Sequence, residues 1–183
     1  MNYKATLYTA IVRLLYYLAY PVLKLTGSVG NFESTLIYFI ARCSGYTKQN
    51  ALMLVKQARL ESGGYTSRAR REANNIFGMK MPRKRATTAI GTITLNEGEF
   101  ARYRSIADSV LDRILLDEYF KTRKTQNWED YIEEVLLNGY ATDEKYKEKW
   151  IATPAHMDFN AGYITAGIYT ALAIIFILYK RHR

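Results

Sequence analysis

The sequence predicts a mainly α-helical α+β domain that carries one short β-hairpin and is followed by a C-terminal transmembrane helix. Apolar residues recur at helical spacing in several runs that end at glycines. β-Branched residues cluster about Gly91, and residues 159–179 contain no charged side chain. We therefore divide the chain of 183 residues into a hydrophobic N-terminal segment, 1–27, a domain, 28–152, and a C-terminal anchor with a basic tail, 153–183.

The N-terminal segment is apolar and rich in tyrosine from Ala5 to Leu25, but Arg13 and Pro21 interrupt it. Three interpretations stay open: a cleavable signal peptide, an interfacial or signal-anchor helix, and a helix packed on the rest of the protein or on a partner. The residues from Gly27 to Asn31 are typical of a linker that leads into a helix.

Two helices open the domain. The first is predicted from Phe32 to Cys43 and ends before Gly45. The second has a regular apolar stripe and ends at the pair Gly63-Gly64, because helices commonly end at a glycine in the left-handed backbone conformation. Its stripe consists of Ala51, Leu54, Val55 and Ala58. We expect the two helices to pack against each other.

The second half of the domain is predicted to hold the hairpin and three further helices. The segment Thr87 to Leu95 is rich in β-branched residues and predicts the hairpin. Ser105 and Asn127 are suitable N-caps for the next two helices. Thr142 is expected to cap a last short helix that runs through Trp150.

Glu61 continues the apolar stripe of the second helix, which places a carboxylate toward the core in the last helical turn. Partial desolvation and the negative end of the helix dipole both raise the pKa of a carboxyl group there. A glutamic acid that stays protonated near neutral pH can serve as a general acid. The alternative is a partly exposed glutamate at a frayed helix end.

Four ordered motifs accompany Glu61: Leu60-Glu61-Ser62-Gly63-Gly64 with Ser67, Asn75-Ile76-Phe77-Gly78-Met79-Lys80, Phe100-Ala101-Arg102-Tyr103-Arg104-Ser105 with Asp108-Ser109, and Gly139-Tyr140-Ala141-Thr142-Asp143 with Tyr146. Over roughly residues 33–151 they resemble the glucosaminidase family, the bacterial and phage peptidoglycan hydrolases of glycoside hydrolase family 73. The resemblance implies a lysozyme-like fold and cleavage of the glycan strand after N-acetylglucosamine.

The resemblance also assigns roles to individual residues. Glu61 and Tyr140 would be catalytic, with Tyr140 positioning the acetamido group of the substrate or the attacking water. The substrate-binding set implied in this way is Ser62, Asn75, Phe77 and Asp143. Within it, Asn75 and Phe77 would lie along the floor of the sugar cleft, whereas Ser62 and Asp143 would be capping or supporting groups rather than reactive ones.

A second catalytic carboxylate is not evident in the sequence. Where longer members of the family carry a glutamate in the β-lobe, this chain has Thr87-Thr88-Ala89. Glu97 and Glu99 lie nearby and could substitute, although acidic residues in a turn are usually only solvated. The activation of water and the stereochemistry therefore stay open, and participation of the substrate's own acetamido group is a third possibility.

The chain is basic, with 26 Lys and Arg against 17 Asp and Glu and a net charge of +9, which suits anionic partners. No recognised nucleic-acid-binding motif accompanies the charge, so specific nucleic-acid binding is not expected. Seven basic residues bracket the cleft and would bind peptidoglycan carboxylates or anionic lipid, or form a solvated face: Arg68, Arg70, Arg71, Lys80, Arg83, Lys84 and Arg85.

Metal and cofactor chemistry are not expected. Cys43 is the only cysteine, which excludes an intrachain disulfide. With only His156 and His182 in addition, the chain cannot assemble a Cys/His zinc site.

The run from Phe159 to Tyr179 lacks charge, carries tyrosines toward its ends and precedes the basic tail Lys180 to Arg183. As a helix it would be about 30 Å long, which matches the bilayer core. We expect the enzyme to be held in a membrane, either the internal membrane of a bacteriophage particle or a bacterial cell envelope, with virion or envelope proteins as further partners. The competing hypothesis is a structural virion or envelope protein that kept the fold without activity.

Overall fold

The computed structural model describes residues 29–96 and 98–157, which form six helices and one two-stranded sheet. The helices are α1 (Val29–Cys43), α2 (Lys48–Glu61), α3 (Arg68–Ala73), α4 (Ile106–Tyr119), α5 (Trp128–Leu137) and α6 (Tyr146–Ala152). The strands are β1 (Gly91–Leu95) and β2 (Gly98–Arg102). The structure thus confirms the prediction of a mainly helical α+β domain with a short hairpin.

Helix α2 lies at the centre of the core because α1, α5 and α6 all pack against it, and α1 also packs on α4. The stripe predicted from the sequence is fully buried on α2: Ala51, Leu54, Val55 and Ala58. The indole of Trp150 on α6 is also fully buried and donates to the Met53 carbonyl over 2.7 Å. This packing holds α2, whose last residue is Glu61, within the core.

The predicted caps of the two middle helices are present. Ser105 accepts a hydrogen bond from the Asp108 amide at the start of α4, and Asn127 accepts one from the Asp130 amide at the start of α5. Each cap satisfies a backbone donor that would otherwise lack an intrahelical partner.

The hairpin lies later in the chain than the prediction placed it. Gly91 begins β1 rather than forming the turn, and β1 pairs antiparallel with β2 in the register Gly91 to Arg102 and Leu95 to Gly98. Thr88 is instead tied to α4, because its hydroxyl donates to the Asp108 carbonyl (2.5 Å) and its amide to Asp112 Oδ1 (3.3 Å). These bonds remove the first part of the β-branched segment from the sheet.

The predicted cap of the last helix was wrong. Helix α6 begins at Tyr146, and Thr142 does not cap it. The preceding residue, Lys145, makes no side-chain cap hydrogen bond, but its amide donates to Asp143 Oδ1 over 2.9 Å. Asp143 therefore shapes the approach to α6 in place of Thr142.

Several predictions concern residues outside the described ranges. They are the N-terminal segment 1–27, the transmembrane run 159–179 with its basic tail, and Glu97. Among residues 29–96 and 98–157, none of the helices has the length and apolar character needed to cross a bilayer.

Candidate active site

A cleft of about 360 Å³ opens at the C-terminal end of α2. Its walls come from the segment after α3, from α4 and from the end of α5. The lining residues are Glu61, Phe77, Gly78, Met79, Lys80, Met81, Pro82, Arg85, Arg113, Leu116, Asp117, Phe120, Thr122, Val135, Asn138, Gly139 and Tyr140. The cleft thus unites residues that are widely separated along the chain.

Glu61 is the last residue of α2 and is half-buried in this cleft. Its Oε1 accepts a hydrogen bond from the Tyr146 hydroxyl. Its Oε2 lies beside Gly78, where a Cβ atom would be 3.4 Å from that oxygen. Gly78 has φ +61°, and this backbone conformation favours glycine there.

Burial raises the pKa of the Glu61 carboxyl group above its ordinary value. The hydrogen bond from Tyr146 and the positive charge of Arg113 act in the opposite direction, because both stabilise the carboxylate. The net effect is upward, which favours a protonated Glu61 at higher pH than for an exposed glutamate. This is the electrostatic setting that a general acid requires.

Tyr140 lies in the same cleft, and its hydroxyl donates to the Phe77 carbonyl over 3.0 Å. The Arg113 guanidinium carbon lies 5.0 Å from the centre of its ring. Burial, and then the negative charge of Glu61, raise the pKa of the Tyr140 phenol. Tyr140 therefore stays a neutral hydrogen-bond donor at neutral pH.

Tyr146, which the sequence did not single out as a site residue, is the direct partner of Glu61. Its ring is buried and packs edge-on against Trp150, with ring centres 5.9 Å apart. Its hydroxyl also accepts a hydrogen bond from Gln57 Nε2 (3.4 Å). The available signal was its place in the last of the four family motifs.

Among the expected substrate-binding residues, Phe77 lines the cleft, but Asn75 does not. The Asn75 side chain is buried, and its amide group is engaged with the backbone: Nδ2 donates to the Met79 carbonyl and the Ala101 carbonyl, both over 2.8 Å. Its Oδ1 accepts from the Met79 amide over 3.0 Å. Asn75 thus holds the loop that carries Phe77 and Gly78 against β2.

Ser62 and Asp143 also lie outside the lining of the cleft. The buried Ser62 hydroxyl donates to the Ala58 carbonyl (2.6 Å) and accepts from the Tyr65 amide (2.9 Å), so it shapes the exit from α2. Asp143 is exposed and accepts from Lys149 Nζ over 2.5 Å. The Lys149 hydrogen bond, followed by that of the Lys145 amide, lowers the Asp143 pKa.

Within the described residues, the carboxylates that line the cleft are Glu61 and Asp117. Asp117 is ion-paired with Arg113, and its Oδ2 accepts from the hydroxyls of Tyr46 (2.6 Å) and Tyr131 (2.8 Å). These bonds occupy Asp117 and leave Glu61 as the carboxylate available to a ligand. Glu99, a candidate for a second catalytic group, is exposed on β2 and does not line the cleft.

Five of the seven predicted basic residues fall into two groups. Lys80 and Arg85 line the cleft, although Arg85 is also held by a bidentate pair with Asp112 (2.8 and 3.0 Å). Three of the others contact partners within the domain: Arg68 pairs with Glu72, Arg70 pairs with Glu33, and Arg71 donates to the Thr66 carbonyl. Within the described ranges, no group of three or more His, Cys, Asp or Glu side chains could hold a metal ion.

A partly desolvated glutamate that ends the central helix and opens onto a cleft is the arrangement expected of the general acid of a glycoside hydrolase. The family model for glucosaminidases, described as mannosyl-glycoprotein endo-beta-N-acetylglucosaminidase, matches residues 40–158, about two thirds of the chain. The chain therefore belongs to the glucosaminidase family, and it is a glycoside hydrolase that acts on peptidoglycan.

The fold is also similar to that of a chain in a solved type VI secretion system effector-immunity complex from Pseudomonas protegens. The TM-score is 0.52 at 21% sequence identity, and the match covers 70% of this chain and 90% of that chain. At this identity the similarity shows a shared fold alone. None of the curated proteins compared with the chain matches it significantly.

Proposed function

We propose that this protein is an endo-β-N-acetylglucosaminidase that cuts peptidoglycan glycan strands with Glu61 as the general acid. The observation that carries the proposal is the setting of Glu61: it ends the central helix, opens onto the cleft and has a raised pKa because of its burial. A protonated carboxylic acid in such a cleft can give its proton to the glycosidic oxygen as the bond to the leaving sugar breaks.

Tyr140 is proposed to orient the substrate's acetamido group or the attacking water. Its hydroxyl lies on the cleft wall and donates to the Phe77 carbonyl. Because Asp117 is occupied by Arg113 and two tyrosines, the described part of the cleft offers no second available carboxylate. Participation of the acetamido oxygen is therefore the route that we favour for displacement of the leaving group.

The cleft wall formed by Lys80 and Arg85 supports peptidoglycan as the substrate, because peptidoglycan carries carboxylates that neutral amino-sugar polymers lack. Lys80 is the exposed member of this pair, and its Nζ lies 4.0 Å from the centre of the Phe100 ring. We propose that this side chain binds a free carboxylate of the stem peptide.

The test of the proposed reaction uses the full-length chain and purified peptidoglycan. The wild-type protein is expected to release soluble glycan fragments, and mass spectrometry of the reduced products should show N-acetylglucosamine at the new reducing ends. Glu61→Gln should lower the rate at least about a hundredfold, since it removes the acidic proton and keeps the shape.

Glu99→Gln provides the matched control, because the same chemical change then falls on an exposed strand residue outside the cleft. It should leave the rate unchanged. A wild-type protein that folds and binds peptidoglycan but never cuts it would favour the competing hypothesis of a structural virion or envelope protein with this fold.

We further propose that the enzyme works at a membrane, anchored through residues 159–179. The support for this is the uncharged run itself and the basic tail behind it. A virion-associated enzyme in the internal membrane of a phage, opening the host wall as the phage infects or leaves the cell, is the setting that we favour. A hydrolase that remodels a bacterial envelope is the alternative.

A further inference from the structure

A chain of hydrogen bonds runs from the interior of the domain to Glu61. It starts at Arg113 on α4, whose side chain is fully buried and whose Nε donates to Gln57 Oε1 over 3.0 Å. Gln57, also fully buried, donates from Nε2 to the Tyr146 hydroxyl over 3.4 Å. That hydroxyl in turn donates to Glu61 Oε1. Three helices, α4, α2 and α6, thus contribute to one continuous path.

The direction of this path is set by Arg113. A guanidinium group has donors and no acceptor, so the atom of Gln57 that it meets must be the amide oxygen. The amide nitrogen of Gln57 then necessarily faces Tyr146. The Tyr146 hydroxyl accepts this hydrogen bond from Gln57. It has one proton, and with that proton it donates a hydrogen bond to Glu61 Oε1.

Arg113 itself is held in place by the other end of its guanidinium group. Its Nη1 is ion-paired with Asp117 Oδ1, and its Nη2 donates to the Tyr131 hydroxyl over 3.4 Å. A buried charge with this many bonded partners cannot turn without leaving one of them unpaired, which is costly in the interior. The origin of the path is therefore rigid.

The path has a consequence for the acid form of Glu61. If Oε1 accepts the Tyr146 proton, the proton of the carboxylic acid must lie on Oε2. This oxygen lies beside Gly78, and both residues line the cleft; a side chain at position 78 would be in contact with it.

Resting on the proposed function, we propose that Arg113, Gln57 and Tyr146 form a directional positioning chain that keeps Glu61 Oε1 as an acceptor and so places the catalytic proton on Oε2, toward the glycosidic oxygen. The three residues are positioning residues, since they act on the substrate only through Glu61. A carboxylic acid with its proton on Oε1 would point it toward Tyr146 and away from the substrate.

The charged and titratable groups near Glu61 come from several elements. Tyr146 lies on α6, Arg113 and Asp117 on α4, Tyr140 after α5, and Lys80 and Arg85 on the cleft wall. Of these, Tyr146 bonds Glu61 directly and lowers its pKa against the effect of burial. Loss of the Tyr146 hydroxyl should therefore raise the Glu61 pKa further and extend the acid form to higher pH.

The first test is the pH dependence of kcat/KM for the full-length chain on peptidoglycan. A general acid gives an alkaline limb, where activity falls as the acid loses its proton. Tyr146→Phe keeps the ring that packs on Trp150 and removes only the hydroxyl. It should lower kcat and move the alkaline limb up by roughly one pH unit.

Gln57→Glu tests the direction of the path. The new carboxylate still accepts from Arg113, but it also accepts the Tyr146 proton, which turns the hydroxyl away from Glu61. The alkaline limb should again move up. In the Tyr146→Phe background, Gln57→Glu should move the alkaline limb less. Without the Tyr146 hydroxyl, the new carboxylate at position 57 can affect Glu61 only through the electrostatic effect of its charge.

Tyr46→Phe is the control, since its hydroxyl donates to Asp117 Oδ2 at the far side of Arg113 and lies outside the path. Its alkaline limb should match that of the wild type. Three results would each overturn the positioning chain. The alkaline limb could shift in Tyr46→Phe as far as in Tyr146→Phe, or it could stay unmoved in Tyr146→Phe. Gln57→Glu could also move the limb equally in the wild-type and Tyr146→Phe backgrounds.

Neutron diffraction from crystals of the full-length chain, grown below the Glu61 pKa, would locate the proton directly. A deuteron on Oε2 supports the chain, and one on Oε1 directed at Tyr146 refutes it. The proposed function fails separately: an active Glu61→Gln would remove both proposals, whereas an inactive Glu61→Gln with an unmoved limb in Tyr146→Phe would remove the chain alone.

Discussion

The Tyr140 hydroxyl lies on the cleft wall, where it bonds the Phe77 carbonyl, and we propose that it meets the substrate's acetamido group. Tyr140→Phe is expected to lower kcat about a hundredfold, because a donor that acts in the transition state is lost. The loss of one hydrogen bond should cost only about 1 kcal/mol of stability. Steady-state kinetics and thermal unfolding of the same preparation separate the two effects.

Tyr103→Phe is the matched control for this prediction. Its hydroxyl is buried and donates to Asp112 Oδ2 over 2.8 Å, but the residue does not line the cleft. It should lose stability without a comparable loss of turnover. If Tyr140→Phe instead loses activity only in proportion to its melting temperature, Tyr140 is a packing residue.

At the scale of single residues, the sequence could identify Glu61 because two local signals coincide there. The apolar stripe of α2 reaches it, and Gly63 and Gly64, both in the left-handed region, follow the end of the helix. The partner Tyr146 could not be found in this way, because helical spacing describes faces within one helix. Which face of α6 meets α2 is decided by tertiary packing.

Asn75 illustrates the opposite difficulty. Its position in a family motif is compatible with a sugar contact and with a structural role. The structure shows its side-chain amide bonded to the backbone of Met79 in the loop after α3 and of Ala101 in β2. Sequence alone cannot distinguish an amide that binds a ligand from one that binds its own backbone.

At the scale of elements, α1 and α3 are joined by an ion pair between Glu33, which is fully buried, and Arg70. Arg70→Met should leave Glu33 without this partner and destabilise the domain by about 3–5 kcal/mol near neutral pH. Chemical denaturation with the variant and the wild type measures this difference. Arg68→Met on the same helix is the control, because the exposed Arg68–Glu72 pair should contribute about 1 kcal/mol or less.

The pH dependence of this loss follows from Glu33. Burial raises its pKa, whereas the hydrogen bond and the charge of Arg70 lower it. In the Arg70→Met variant, the pKa of Glu33 in the folded state should rise further above its value in the unfolded chain. The variant should therefore keep its stability at low pH and lose it as the pH rises through the folded-state pKa of Glu33. The cost of Arg70→Met should therefore shrink on acidification. A cost no larger than that of Arg68→Met at neutral pH would contradict the prediction.

Helix α3 shows why some elements escape prediction from sequence. Its residues Arg68–Ala73 are mostly charged and present no apolar stripe, so helical periodicity gives no signal. The helix is defined by its ends: Ser67 accepts from the Arg70 amide, and Asn74 ends it in the left-handed conformation with φ +53°. The displaced hairpin has a similar cause, since the bonds of Thr88 to α4 outweigh its strand propensity.

At the scale of the whole molecule, the net charge of +9 suits an anionic cell-wall substrate, and the basic tail suits the membrane anchor that we propose for residues 159–179. Basic residues beside a membrane span tend to stay on the cytoplasmic or equivalent interior side. The tail from Lys180 to Arg183 should therefore lie inside the membrane-bounded compartment. The catalytic domain would then lie outside it, where it can reach the cell wall.

Removal of residues 159–183 should accordingly release the domain from vesicles, unless the hydrophobic segment from Ala5 to Leu25 provides a second attachment. The two segments should be deleted separately and together, and the digestion of the catalytic domain by added protease should be followed in sealed vesicles. A domain outside the membrane is digested without detergent, whereas protection until detergent is added would contradict the proposed orientation. Retention after the C-terminal deletion with release after the double deletion means two anchors. Release on the N-terminal deletion alone would show that the principal anchor lies at the other end of the chain, because the uncharged run would then be insufficient to hold the enzyme in the bilayer.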